Sequence, residues 1–471
     1  MTESYDVAIL GAGTAGLSAL REVRKHTERF VIINGGPYGT TCARVGCMPS
    51  KALIEAANAF ARRKAFPDFG IRGGEQLTVD IPAVLERVRR LRDQFVGGAV
   101  RLTSVLGERS IAGTAQFLSP DTLQVGERTL RAKSIVIATG SSPFVPEAWP
   151  QLGARLITTD SLFELHDLPA RIAVVGLGPI GVELSQALAR LGIRVSAFGD
   201  DAAIAGLTDS EVNEHALAIL RSDVQVHVGP RVTVQLENDG VRITSGEHTE
   251  VFDAVFAAMG RRPNVAGLHL DRLGVPLDSR GLPRVDGHSM QIDPLRVFMA
   301  GDVDGTNPIQ HEGNDEGHIA GFNAVRAPLK SFCRRVRLGI VFSDPQIAFV
   351  GKPRRDLDDA QTVIGTADFS RQGRAIVAAA NRGLLRVYVD QKTQRLLGAE
   401  MCTPHAEHFA HLLALAIERS STVAEILRMP FYHPTLEEGL RTALRDAAGQ
   451  LGVRAQSDLA SCGPVGAAAL D

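Results

Sequence analysis

The 471-residue sequence predicts an α/β protein in which two units of one plan, strand then glycine turn then helix, are followed by a separate α+β unit. Three observations predict it. The hexapeptide Gly11-Ala12-Gly13-Thr14-Ala15-Gly16 follows the apolar run Val7-Ala8-Ile9-Leu10, and Gly176-Leu177-Gly178-Pro179-Ile180-Gly181 follows Ile172-Ala173-Val174-Val175. Each leads into a helix-compatible stretch, ending near Lys25 and Leu191, and then into a further apolar run, Phe30 to Ile33 and Ile193 to Phe198. The third is a change of pattern near Arg337, beyond which strand-like runs around Leu338 to Phe342 and Leu384 to Val389 precede a helix-like stretch from about His405 to Arg419.

In the first unit Gly11 makes the tight turn, Gly13 lets a pyrophosphate approach the backbone, and Gly16 allows helix and strand to pack closely. The helix N-terminus attracts phosphate. The second strand ends at Asn34, where this fingerprint expects an acid to hold ribose hydroxyls; asparagine still hydrogen-bonds a ribose, without charge. Gly176, Gly178 and Gly181 repeat the three glycine roles, and Gly11 to Asn34 and Gly176 to Gly199 both span twenty-three positions. Two such units in one chain imply two bound dinucleotides. After the second strand of the second unit comes Gly199-Asp200-Asp201-Ala202-Ala203, which contains no cation. Two aspartates there repel a 2′-phosphate, and Asp200 accepts hydrogen bonds from a free 2′-hydroxyl, so NAD is expected rather than NADP.

Composition narrows the partners. Fifty-one basic and fifty-three acidic side chains give a formal charge of −2, so no global field favours nucleic acid or an anionic membrane. No apolar run reaches the ~18–20 residues of a membrane span, and the acidic start Met1-Thr2-Glu3-Ser4-Tyr5-Asp6 is unlike a signal or transit peptide. A cytoplasmic protein is expected. Five cysteines, few and odd in number, argue against an extracellular disulfide framework.

Two of the five lie in Thr40-Thr41-Cys42-Ala43-Arg44-Val45-Gly46-Cys47-Met48-Pro49-Ser50-Lys51. Cysteines five apart in a regular helix have α-carbons ~8–9 Å apart, beyond the ~7 Å that a disulfide spans, so a bridge here requires a distorted helix. Gly46 permits that distortion and Pro49 constrains it. Taken alone, the spacing suits two buried thiols better than a bridge.

Together with the two fingerprints and Phe431-Tyr432-His433-Pro434-Thr435-Leu436-Glu437-Glu438, this stretch resembles the redox-active site of the class I flavoprotein pyridine nucleotide-disulfide oxidoreductases. Cys-x4-Cys followed by Met-Pro-Ser-Lys is most similar to the dihydrolipoamide dehydrogenases, and the likeness runs from about Tyr5 to about Gly449. The resemblance implies two Rossmann-like dinucleotide-binding domains, for FAD and NAD, plus a C-terminal α+β dimerisation domain. It divides the chain into a flavin domain (1–145, with a return segment at 269–334), a nicotinamide domain (146–268), an interface domain (335–453) and a tail (454–471).

Roles follow by the same resemblance. Cys42 and Cys47 form the redox disulfide, Cys42 being the interchange thiol and Cys47 the thiolate against the flavin. His433 takes the substrate thiol's proton and Glu438 orients it, while Lys51 lies near flavin N5 paired with Glu183. Flavin contacts are expected from Thr41, Ala115, the Ala-Thr-Gly turn with Thr139 and Gly140, and Asp302 at the ribityl chain. His311 leads into a helix whose N-terminal dipole stabilises negative charge on the reduced ring. Asp200 and Gly260 are expected on the nicotinamide side. The implied enzyme is a homodimer that oxidises dihydrolipoamide, or a lipoyl group carried on another chain, with NAD. The alternatives are a reductase of another small disulfide such as glutathione, and a non-catalytic flavin-binding redox sensor.

One further constellation is Cys402, His405, His408 and His411. On a helix three-residue steps rotate about −60° each and rise ~4.5 Å, so the outer residues diverge, and no metal is expected. Cys333 and Cys462 read as ordinary thiols.

Overall fold

The run before the first glycine turn lies at the centre of a seven-stranded sheet. In this computed structural model, which describes residues 2–200 and 203–452, strand Thr2–Leu10 pairs in parallel with Phe30–Asn34 and with Arg128–Ile137. Ser110–Ala112 extends one edge, Val297–Met299 joins the end of Arg128–Ile137, and antiparallel Thr122–Val125 and Ala115–Ser119 complete the other side. Val7 and Ile9 enter one core cluster and Ala8 and Leu10 another, which is why the run is apolar at every position: both faces of a parallel strand are covered. Leu10 and Met299 both stand opposite Ile137, so the three strands end together and Gly11, Ala138 and Ala300 share one rim. Ligands of open α/β sheets bind at that carboxyl end.

The second sheet repeats this plan. Its parallel order is Gln225–Val228, Arg194–Gly199, Arg171–Val175, Ala254–Ala257 and Leu156–Ile157. A three-stranded antiparallel meander, Thr233–Leu236, Val241–Ser245 and His248–Phe252, covers one face through Phe252 and Val241 packed with Phe198 and Trp149. A ribbon of Ser141–Pro143 against Arg261–Pro263 joins the two sheets' connections.

The third unit is an antiparallel sheet in the order Leu338–Val341, Gln346–Gly351, Leu396–Thr403, Leu384–Asp390, Thr362–Asp368. Helices Ala406–Glu418 and Glu438–Gln450 bury Phe409, Leu413, Leu440 and Leu444 against it. Arg190, 3% exposed, ties all three units together: it bonds Asp223, Asn58 and Asp344 at 2.9, 2.7 and 2.8 Å. Three ordered partners satisfy that buried guanidinium. The fold class expected from sequence is the one observed. Asp201 and the expected tail 454–471, with Cys462, lie outside the described residues. Among the described residues no helix is long and apolar enough to cross a membrane.

Candidate active site

The cysteine segment is two helices. Thr41–Arg44 ends after four residues, Val45 and Gly46 depart from helical geometry (Gly46 φ −121°, ψ −116°), and Cys47–Ala61 begins. A Cβ on Gly46 would lie 3.0 Å from the Thr41 carbonyl oxygen, a tight contact that glycine avoids at the break. Pro49 falls in the first turn of the second helix, where a missing N–H removes no intrahelical bond. Both cysteines are free thiols in this structure. The neighbouring Cys42 thiol, aided by the charge of Lys51, lowers the Cys47 thiol to about 7 in spite of its burial. The same contact and burial push the Cys42 thiol up. The two sulfurs are therefore unequal: Cys47 is the one held as thiolate near neutrality.

Behind them Lys51 Nζ reaches both carboxylate oxygens of Glu183, at 3.0 and 2.8 Å, although the residues are 132 positions apart. Glu183 is buried, and the Phe342 N–H donates to its Oε1 at 2.9 Å. The Phe342 ring lies 4.8 Å from Lys51 Nζ, close enough for a cation–π contact. Phe342 comes from the third unit and was not expected at this site. Nothing local in the sequence signals it.

A cavity of about 370 Å³ opens at the carboxyl rim of the first sheet. Gly11, Gly13, Asn34 and Thr41 line one part of it, and Ala115, Thr139 and Gly140 another. Gly11 has φ +108°, and a Cβ there would lie 2.2 Å from the Ala138 carbonyl oxygen; on Gly16 a Cβ would lie 1.9 Å from the Gly11 oxygen. A Cβ on Gly13 would meet nothing within 4 Å. Gly11 and Gly16 thus serve the fold, and Gly13 leaves space for a ligand. Asn34 Oδ1 accepts the Ala12 N–H at 3.2 Å and its Nδ2 donates to the Gly36 carbonyl at 2.6 Å, so it braces the loops of the cavity as well as facing it. Arg44, between the two cysteines, also lines the cavity, and its buried Nε has no hydrogen-bond partner among the described residues. An orphaned cationic donor beside open glycine backbone fits the pyrophosphate of a dinucleotide such as FAD. A charged residue inside the cysteine motif was a signal the sequence reading passed over.

Asp302 accepts from Ser141 Oγ at 2.6 Å and stands at the start of a turn after Gly301. Glu316, 1% exposed, accepts the Gly301 N–H at 2.7 Å and an Arg334 bond at 2.7 Å. Burial, reinforced by Asp304, pushes the Glu316 carboxyl up to about 7. His311 is exposed in the first turn of helix Gln310–Ala324. That helix packs on Thr14–Val23 so closely that a Cβ on Gly317 would lie 2.1 Å from the Ala15 oxygen. In its first turn a Cβ on Gly313 would lie 3.4 Å from the Gly301 Cα, so the start of this helix stands at the rim.

The second glycine turn matches the first. A Cβ on Gly176 would lie 2.3 Å from the Ala258 oxygen, one on Gly181 1.9 Å from the Gly176 oxygen, and one on Gly178 would meet nothing within 4 Å. Gly260 has φ +95° and an open surround. Asp200 is not alone, however. Arg231, from the loop after Gln225–Val228, places Nε 3.6 Å from Asp200 Oδ2. The stretch after the second strand has no cation of its own, as read from sequence, but the fold supplies one.

His433 Nδ1 lies 3.0 Å from Glu438 Oε2, which also accepts the Thr435 N–H at 3.3 Å. Burial notwithstanding, the Thr435 N–H and His433 hold the Glu438 carboxyl below the usual range. A carboxylate on Nδ1 leaves Nε2 for proton exchange. The His433 side chain is 80% exposed in the single chain.

Two dinucleotide folds around a thiol pair with one activated sulfur define a flavin- and pyridine nucleotide-dependent dithiol–disulfide enzyme. Comparison with known proteins agrees: residues 5–317 match the pyridine nucleotide-disulphide oxidoreductase family and residues 338–444 its dimerisation domain, and the chain belongs to that family. It is similar to dihydrolipoyl dehydrogenase of Chlamydia pneumoniae, 28% identical over 461 residues, covering 93% of this chain and 96% of that protein. It is 27% identical to dihydrolipoyl dehydrogenase of Vibrio cholerae, covering 93% and 94%. In fold it matches the Cu(II) complex of the HOCl-induced flavoprotein disulfide reductase RclA from Escherichia coli, with TM-score 0.82, 23% identity and coverage of 94% and 99%. LpdA from Mycobacterium tuberculosis matches with TM-score 0.80, at the same identity and coverage. The chain is an oxidoreductase that uses FAD and a pyridine nucleotide, and it carries the domain through which such chains form homodimers.

Proposed function

We propose that this enzyme oxidises dihydrolipoamide with NAD+ through a Cys42–Cys47 disulfide, His433 being supplied by the second copy in the dimer. The observation that carries the reading is the unequal thiol pair at the broken helix, with Cys47 lowered to about 7 and Lys51 and Glu183 beside it. In the oxidised enzyme one substrate thiolate attacks Cys42 Sγ; the S–S bond to Cys47 breaks and its electron pair leaves on Cys47. The low pKa of Cys47 makes it the better leaving group. The second substrate thiolate then attacks the mixed disulfide at the substrate sulfur, releasing cyclic disulfide and the Cys42 thiolate. His433 Nε2 takes the substrate's protons in turn, with Glu438 fixing the ring. Bound FAD would supply the two-electron carrier between the Cys42–Cys47 dithiol and NAD+, and the balance is dithiol plus NAD+ to disulfide, NADH and a proton.

Gly11, Gly13, Thr41, Arg44 and Thr139 are the residues that would hold FAD, and Gly176, Gly178 and Asp200 those that would hold NAD. A second reading, reduction of another small disulfide by NADPH, is favoured by Arg231 beside Asp200, because a guanidinium there would pair with a 2′-phosphate. Anaerobic specificity constants decide: NAD+ against NADP+ with dihydrolipoamide, then NADH against NADPH with glutathione disulfide. The proposal expects dihydrolipoamide with NAD+ to lead. Preference for NADPH with glutathione disulfide overturns it.

A further inference from the structure

The constellation Cys402, His405, His408 and His411 does not assemble. Cys402 is buried with its sulfur 4.0 Å from the Pro345 carbonyl oxygen, and His411 Nδ1 is bonded to the Glu407 carbonyl at 2.6 Å. What does assemble is His405, Glu407 and His408, each of which offers a donor atom within 4.8 Å of the other two. The divergence expected of helical three-residue steps does not apply, because His405 is not helical. It precedes Ala406–Glu418 with left-handed backbone (φ 53°, ψ 37°), which turns its ring back over His408; the two rings lie 5.8 Å apart and 20° from parallel. Glu407 is held in place from the neighbouring strand: Gln346 Nε2 donates to its Oε1 at 3.3 Å, and its N–H donates to Gln346 Oε1 at 3.1 Å.

We propose that His405, Glu407 and His408 form a binding site for one divalent transition-metal cation of the zinc class per chain. Two imidazoles and one carboxylate are the donor set such cations take, with a fourth position left for water. Donors on a ~2.1 Å tetrahedral sphere lie ~3.4 Å apart, so the present separation closes by rotation of the two exposed imidazoles about their side-chain torsions. The site sits at a helix N-terminus, whose dipole opposes a cation. The Glu407 carboxylate must offset that field, so charge as well as geometry is required of it.

The test is calorimetric titration of Zn2+ into flavin-loaded protein in which Cys42, Cys47, Cys333 and Cys462 are all replaced by serine, so that only the buried Cys402 keeps its thiol, with bound metal counted after dialysis. One zinc per chain is expected. His405→Ala, His408→Ala and the isosteric Glu407→Gln should each weaken it at least about tenfold, whereas His411→Ala, also exposed, should leave it unchanged. Absence of stoichiometric zinc, or an affinity unaltered by both His408→Ala and Glu407→Gln, overturns the site.

Discussion

Cys47 and Cys42 are five residues apart yet differ in chemistry because each thiol shifts the other in the opposite direction, Cys47 down and Cys42 up. Cys47 is lowered from 9.0 to about 7, so its thiolate is present above that pH and is lost as pH falls through it. In the two-electron-reduced, flavin-loaded enzyme the long-wavelength band of a thiolate facing oxidised flavin should therefore rise through about pH 7 in an absorbance titration. Cys47→Ser should abolish the band with flavin still bound. Cys42→Ala, which removes the neighbouring thiol, should move the midpoint upward; an unmoved midpoint would assign the lowered pKa to Lys51 instead. Arg231 stands in its loop as a cation beside Asp200, 3.6 Å away. Its pairing with Asp200 puts a guanidinium where the nucleotide's 2′ position is expected. Arg231→Ala should weaken NADPH binding about tenfold, about 1.4 kcal/mol, and leave NADH binding within a factor of about two, read by calorimetry. Equal loss for both nucleotides would place Arg231 away from the 2′ position.

At the scale of the element, each glycine turn divides its labour. A methyl group on Gly16 would lie 1.9 Å from the Gly11 oxygen, which forces helix and strand apart, whereas one on Gly13 meets no protein atom within 4 Å. Gly13→Ala should leave the melting temperature of the flavin-free protein nearly unchanged while FAD binding falls sharply; Gly16→Ala should lower that melting temperature and flavin content together. Parallel changes in both variants would refute the division. These turns were legible in sequence because a glycine fingerprint encodes local backbone: spacing, flanking strand and helix together specify it. The helix break at Val45–Gly46 was legible for the same reason. The left-handed backbone of His405 was not, since histidine carries no local signal for that conformation.

For the whole molecule, His433 and Tyr432 are each 80% exposed, and Ile376 and Val377, from the helix whose N-cap Gln372 donates to the Thr435 carbonyl at 2.7 Å, are 52% and 67% exposed, so large apolar side chains stand on the surface of the single chain. Such side chains fit an interface with a second copy. If His433 serves the partner's thiols, mixing inactive Cys42→Ser and His433→Gln protomers with random subunit exchange should restore about a quarter of the sites. No recovery after verified exchange, or a fully active monomer in sedimentation, would refute action across the dimer.

The two glycine turns, the order of the three units and the pairing of Cys42 with Cys47 across a helix break are legible in the sequence because each is written in residues close along the chain. Tertiary structure alone decided which groups meet across it. Glu183 comes to Lys51 with Phe342 behind it, Glu316 and Arg334 brace the Gly301 turn, and Arg231 stands beside an aspartate in a stretch that has no cation of its own. Periodicity specifies which face of a helix or strand is buried; the partner that the face finds depends on sheet order and on the packing of separate units, to which no local pattern refers.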